Sequence, residues 1–398
     1  MGLPASARAL PLLIIGQLAL HGAMAGQRMA APLQALNGGH SPWAVGVLLA
    51  LFAALPVLTA MGAGRMADRH GYHRPVRLAV LLTMAGAACA LAACWLPGWW
   101  QFGLNCVGAA ASGVGTNVGL IAIQRAAGQM VSSSTERMRV FSWLGMAPSL
   151  ANVVGPVAAG FMIDAAGFGA AYALLMAMPL VSLWVARRVP VQAGPAAVAP
   201  RPPGSSRWDL LAAPGMKRLL FVNWLLSASW DVHSFAVPVL GHARGYSAST
   251  IGLVLGTFTA AVTLVRFAIP LLAHRLTEVV VLRTAMLLTG VVFSLYPFAA
   301  TPWLMGGCAL LLGLSLGSVQ PMIMSTLHHL TPAQRHGEAI AFRSMALNFS
   351  SSVMPLVFGL AGTALGPGVL FWLMGAAVGG GSWAARGLQK VFVNPPPA

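Results

Sequence analysis

Along this chain, apolar residues come in runs of about 20, separated by short clusters of arginine, glycine, proline and serine. A helix rises 1.5 Å per residue, so about 20 residues cross the ~30 Å hydrocarbon core of a bilayer. Twelve such runs stand out, near 8–32, 42–63, 76–96, 100–123, 140–163, 169–187, 217–241, 247–270, 279–298, 302–327, 338–362 and 366–386. In lipid the backbone has no water to bond, so each run must close its hydrogen bonds internally, as a helix. The pattern predicts an all-α membrane protein of twelve transmembrane helices. The first run lacks a small-residue cleavage site and continues as a full span, so it reads as helix 1 rather than as a removable signal.

Composition agrees: 58% of the 398 residues are apolar and 8% charged, against about 25% charged in soluble domains. The formal charge of +16 first suggests nucleic acid, but the distribution of the charges argues against it. With both termini in the cytoplasm, every Lys and Arg except Arg28 and Arg244 falls at a cytoplasmic helix end or loop. That is the positive-inside rule, and the basic balance orients the chain in an anionic bilayer. The four cysteines lie in or beside apolar runs without paired spacing, and read as small core residues.

The chain repeats itself. Pro32, Gly39, Ser41 and Gly46 recur as Pro238, Gly245, Ser247 and Gly252, 206 residues on; Gly155-Pro156 answers to Met354-Pro355 at 199. This predicts two pseudo-symmetric six-helix bundles, 1–188 and 217–398, joined by a flexible Pro/Ala/Gly/Arg linker over 189–216.

The repeat also aligns polar residues. Gln17, His21, Ala25 and Arg28 form one stripe on helix 1 and correspond to Asn223, Ser227, Asp231 and Ser234 on helix 7. Polar stripes in a membrane belong against protein or water, so the two helices are expected to face each other across a central cavity. Gln27 and Asn105 join Gln17, His21, Asn223, Ser227 and Ser234 as cavity candidates. The chain has seven carboxylates, and Asp231 alone lies deep in a span. A carboxylate there can load and release protons, which suits proton coupling with Arg28 and His233. Four other readings stay open. Asp231 could be a fixed partner of Arg28 or a substrate contact only, Arg28 could snorkel to the interface, and His21 and His233 could be satisfied core histidines.

The basic cluster Gly64-Arg65-Met66-Ala67-Asp68-Arg69-His70-Gly71-Tyr72-His73-Arg74 must lie outside lipid, as a loop between two spans. Its pattern, Gly-x-x-x-Asp-Arg-x-Gly-x-x-Arg, resembles the signature loop between helices 2 and 3 of the major facilitator superfamily of secondary transporters. The resemblance implies a gating loop (Gly64, Asp68, Arg69, Gly71, Arg74) in which Asp68 caps the cytoplasmic end of helix 11. Gly155-Pro156-Val157-Ala158-Ala159-Gly160 in helix 5 is similar to the motif of the drug/proton antiporter branch, with Gly155, Pro156 and Gly160 as its members. That branch carries an arginine in helix 4, where this chain has Asn105 ahead of Gly108.

The expected function is alternating-access export of a small amphipathic or anionic molecule (a drug, toxic metabolite or siderophore) in exchange for protons. The alternatives are proton-coupled uptake of an organic acid and a transport-inactive sensor. The expected partners are substrate, protons and lipid, with no nucleic acid, for a monomer in the bacterial inner membrane. No cofactor, metal or catalytic residue is expected. Gly313-Leu314-Ser315-Leu316-Gly317 matches a hydrolase elbow but sits in an apolar helix; His328, His329 and His336 lack metal-ligand spacing, and no phosphate loop supports ATP-driven transport.

Overall fold

The computed structural model describes residues 5–130, 134–189, 209–272, 277–331 and 336–393. Those residues are almost wholly helical: α1 (Ala5–Asn37), α2 (Pro42–His70), α3 (His73–Ala93), α4 (Gly98–Gln129), α5 (Ser134–Ala186), the short α6 (Asp209–Ala212), α7 (Met216–Ala243), α8 (Ala248–Leu272), α9 (Glu278–Leu295), α10 (Pro302–Gly317), α11 (Val319–His329), α12 (His336–Leu365) and α13 (Pro367–Val393). Ten stretches of the described residues are long and apolar enough to cross a membrane. One of them is the 53-residue α5, interrupted at Gly167, whose φ of 80° and ψ of 176° fold the chain back on itself; only glycine adopts that conformation readily. Another runs through α10 and α11, which meet at Ser318.

Successive helices run back and forth, so their ends fall on two faces. The α2–α3 turn and the ends of α4, α5, α8 and α11 share one face, where Arg65, Arg69, Arg74, Arg125, Arg187 and Arg188 gather. It is called the basic face below. On the opposite face, exposed tryptophans stand beside the helix ends: Trp95, Trp99, Trp100 and Trp303, the last 89% exposed. Exposed Leu58, Met61, Leu264 and Leu360 lie between the faces. An apolar flank bordered by tryptophan suits lipid with an interfacial belt.

Two sequence expectations need correction here. The cluster 64–74, expected as a short loop, is mostly helical: α2 stays helical through His70, α3 starts at His73, and Gly71 (φ 66°) makes the turn. A helix of 29 residues outlasts the hydrocarbon, so its last turns carry arginines into water while remaining helical. Arg266 and Arg343, assigned from the sequence to cytoplasmic helix ends, instead turn into the helix assembly, where they bond Ser149 and Asn223. Most of the expected linker lies outside the described residues; Asp209–Ala212 at its end is helical.

Helices α1–α5 pack on one another, as do α7–α13, and the two sets meet chiefly along α2–α12 and α5–α8. The duplicated residues make these junctions. Gly46 of α2 lies against the Pro355 carbonyl and Gly359 of α12, and Gly252 of α8 lies against the Pro156 carbonyl of α5. Each glycine of one half therefore meets the proline of the other, where any side chain would collide with backbone. At the opposite face the Asp164 carboxylate accepts the Ala248 and Ser249 amides at 3.0 and 2.8 Å, capping α8 from across the junction. Thr363 accepts the Trp43 amide of α2 at 3.2 Å in the related position. The halves are thus clasped at the opposite face, and hollows lie between them toward the basic face.

Candidate functional site

Asp231 sits past the midpoint of α7, 7% exposed. Its carboxylate accepts the Ser350 hydroxyl at 3.1 Å and the Ser351 hydroxyl at 3.3 Å, both from α12. Arg28 of α1 interacts with it electrostatically from the other half, although the two do not hydrogen-bond. Arg28 and Ser234 border a cavity of about 50 Å³ with Asn152, Trp230 and Thr259. A water needs roughly 10–15 Å³ measured this way, so the cavity admits a few waters.

Trp230 also borders a hollow of about 240 Å³ lined by Asn223, Ser227, Arg266, Gln320 and Ser351. Ser351 both lines this hollow and donates to Asp231, which links the carboxylate to it. Arg266 and Gln320 also border a larger hollow of about 510 Å³, walled by Trp143, Met146, Phe267, Pro321 and Met324. The Arg266 Nη1 donates to Ser149 of the other half at 2.7 Å, and its Nε has no protein partner. Arg343, 5% exposed, donates through Nε to Asn223 at 3.3 Å and leaves Nη2 without a protein partner. Arg266 borders both hollows, whereas Arg343 reaches the smaller one only through Asn223; buried arginines are costly inside a membrane protein, so the pair is a functional signal.

The structure brings together Arg28, Ser234, Asp231, Ser227 and Asn223. Gln17 and His21 are buried or half-buried on the same face of α1, and His21 senses the Arg28 charge. Three candidates lie elsewhere. His233 is two residues from Asp231, so about 200° away around the helix. It bonds the Tyr296 hydroxyl at 2.9 Å and packs on Phe258 inside its own half. Asn105 donates to Gln34 at 2.9 Å, and Gln34 also accepts from Tyr172, which forms a polar knot within the first half. Gln27 shares the face of Leu20, Met24 and Ala31, which is packed toward α2 and α4.

The motif residues divide between two jobs. Gly155 meets the Gly22 carbonyl and Gly26 of α1 within its own half, whereas Pro156 and Gly160 meet Gly252 and Ala248 across the junction. Asp68 accepts from Arg125 at 2.9 Å, an ion pair inside the first half, and not from α12. Gly64 has open space around it. Arg69 and Arg74 stand exposed at the basic face. Sequence reasoning missed Arg266, Arg343, Ser350, Ser351 and Asp164. The spacing of Thr259, Thr263 and Arg266, one helical stripe, could have exposed the first.

The family model of the Major Facilitator Superfamily matches residues 13–216 and 219–397. The chain belongs to the major facilitator superfamily. One curated relative of this major facilitator chain is the class B tetracycline resistance protein of Escherichia coli, 35% identical over 117 residues. That match covers 29% of this chain and only 27% of the relative. Among solved structures, a POT family transporter in complex with a thioalcohol-conjugated peptide superposes with a TM-score of 0.76 at 12% identity, over 97% of each chain. The human organic anion transporter MFSD10 gives 0.67 at 15%, over 96% of this chain and 100% of its own. At such identities the likeness establishes the fold of a membrane transporter and nothing about substrate.

Proposed function

We propose that this major facilitator is a twelve-span secondary transporter that exports a small amphipathic or anionic molecule in exchange for protons by alternating access. The count of twelve takes α5 as two spans around Gly167 and adds α7, whose Asn223, Asp231 and His233 dilute its hydropathy. The positive-inside rule makes the basic face cytoplasmic, with both termini on that side of a bacterial inner membrane. The clasped opposite face and the hollows behind it then correspond to an inward-facing state.

One observation carries the reading: an acid buried near the middle of α7, held by two hydroxyls of α12 and under the charge of Arg28 of the other half, which itself borders a cavity that admits water. A proton reaching Asp231 cancels its charge, releases Arg28 from electrostatic engagement and changes what holds the halves in register. Loss of the proton restores the attraction. A ligand or proton shifts a two-state equilibrium only through differential interaction with the two states, and this pair, spanning the junction, supplies one. Drug resistance in the Escherichia coli relative favours export over uptake.

The test uses everted vesicles with an acid interior reported by a quenched dye, to which tetracycline and a panel of amphipathic anions are added. An exporter exchanging protons restores fluorescence on addition of its substrate. Asp231→Asn should abolish that response while preserving substrate counterflow without a gradient. An unchanged response in Asp231→Asn sinks the coupling role, and dye recovery only in right-side-out vesicles reverses the direction.

A further inference from the structure

We propose, building on the transporter reading above, that the hollow beside Arg266 and Arg343 is a loading site for an amphipathic organic anion. The carboxylate, sulfonate or phosphate end meets Arg266, with Arg343 adding its positive charge from behind Asn223, and the apolar body rests on Trp143, Met146, Phe267 and Met324. Charge balance is the first ground. Among the described residues, the interior between the halves holds three arginines (Arg28, Arg266, Arg343) and one carboxylate, Asp231, which Arg28 and two serines already serve. Asp68 is paired with Arg125, Asp164 caps α8, and Glu278 accepts from Ser325 at the basic face. Neither Arg266 nor Arg343 has a carboxylate partner in this described set.

Geometry is the second ground. The protein bonds that these arginines do make are to neutral groups, Ser149 and Asn223, and each keeps one guanidinium nitrogen without a protein partner. Asn223, which lines the 240 Å³ hollow, also leaves its buried amide nitrogen without a protein partner. Donors without acceptors select an acceptor-rich, negatively charged group, and a guanidinium fits such a group through paired N–H bonds. Shape is the third ground. Arg266 and Gln320 border both hollows, so the smaller one adjoins the larger, more apolar hollow of about 510 Å³. Ligand sites of roughly 300–1,000 Å³ with a few placed polar groups are typical for small molecules. A cation would confront two like charges, and a neutral apolar compound would leave both guanidiniums without a counter-charge.

The probe series is 2-naphthoate, its neutral amide and the cation 2-naphthylmethylammonium, applied to the purified full chain in nanodiscs of neutral lipid. Thermal shift and quenching of the lining tryptophans Trp143 and Trp230 report binding. The expected result is binding of the anion alone, weakened about tenfold or more by Arg266→Gln or Arg343→Gln and partly recovered in Arg266→Lys. Removing an uncompensated buried charge should leave the apo variants at least as stable as the parent chain, so loss of binding cannot be put down to misfolding. Absence of naphthoate binding, equal binding of the amide or cation, or parental affinity in both glutamine variants overturns the proposal. The vesicle assay separates the two claims. Proton-coupled movement of cations independent of both arginines sinks the anion site alone, and anion binding without proton movement sinks the transporter reading alone.

Discussion

Replacing Asp164 by alanine removes the carboxylate that closes the junction at the face opposite the basic one. Two amides at the N-terminus of α8, from Ala248 and Ser249, lose their acceptor. A hydrogen bond to a charged group contributes about 1.5–3 kcal/mol when well shielded. Asp164 is exposed, so solvent screening brings the pair down toward the value for an anion at a helix terminus, about 0.3–1 kcal/mol and up to ~2 in favourable geometry. Taking about 1–2 kcal/mol, the ratio of clasped to open forms should fall roughly 5- to 30-fold. Asp164→Asn keeps one acceptor oxygen and should cause the smaller shift. The state change is measurable by electron–electron distance distributions between nitroxides at Asn37 and Trp303, exposed sites on the two halves at that face. Longer distances should gain population in the order parent, Asn, Ala. An unchanged distribution in Asp164→Ala would mean that glycine–proline packing alone holds the junction, and the latch argument would fail.

Asp68→Ala breaks an ion pair whose carboxylate side is 55% exposed, so thermal stability should drop by less than about 1 kcal/mol. If Asp68 also latches α12 in the other conformation, as the family resemblance implies, turnover falls while substrate affinity holds; a pure loss of affinity contradicts the latch. His233→Leu leaves the buried Tyr296 hydroxyl without its bond and should cost about 1–3 kcal/mol of stability in a melting experiment. The pH dependence of transport should stay at the parental profile, and a shifted profile would return His233 to the proton path.

The all-helical, multi-pass architecture was legible because it rests on a strong regularity, the recurrence of apolar runs long enough to cross a bilayer. Duplication was legible too, and it pointed to contacts as well as topology, since the aligned Gly46/Gly252 and Pro156/Pro355 turn out to touch across the junction. The polar stripe on α7 was readable from spacing, and it brought Asn223, Ser227 and Ser234 to the hollows. Isolated polar residues were harder. Asn105 and Gln27 occupy apolar helices like true cavity residues, but which neighbour a helix face meets depends on packing that a single chain does not spell out. Arg266 and Arg343 were missed for a different reason. Both fall inside the apolar runs, near their basic-face ends, and were counted there as topology signals, whereas packing buries them: α8 continues six residues past Arg266, to Leu272, and α12 begins seven residues before Arg343, at His336.

Departures from the internal symmetry mark where the two halves differ in chemistry. Glycine against proline is kept in both junctions, because a close backbone approach needs the same absence of side chain on either side. The caps at the clasped face are not kept: Thr363 serves α2 with a neutral hydroxyl, and Asp164 serves α8 with a charge and two bonds. The facing stripes differ likewise, with Arg28 on α1 where α7 has Ser234, and Asp231 on α7 where α1 has Ala25. A duplicated fold with identical halves would give each conformation similar contacts and little reason to respond to a proton. Under the proposed function, placing the acid on one half and its counter-charge on the other ties the junction to protonation, and Arg266 and Arg343 both lie in the second half. Under the proposed function, the half that carries the proton-binding acid also carries Arg266 and Arg343, so a proton on Asp231 and an anion at Arg266 would act on one electrostatic balance.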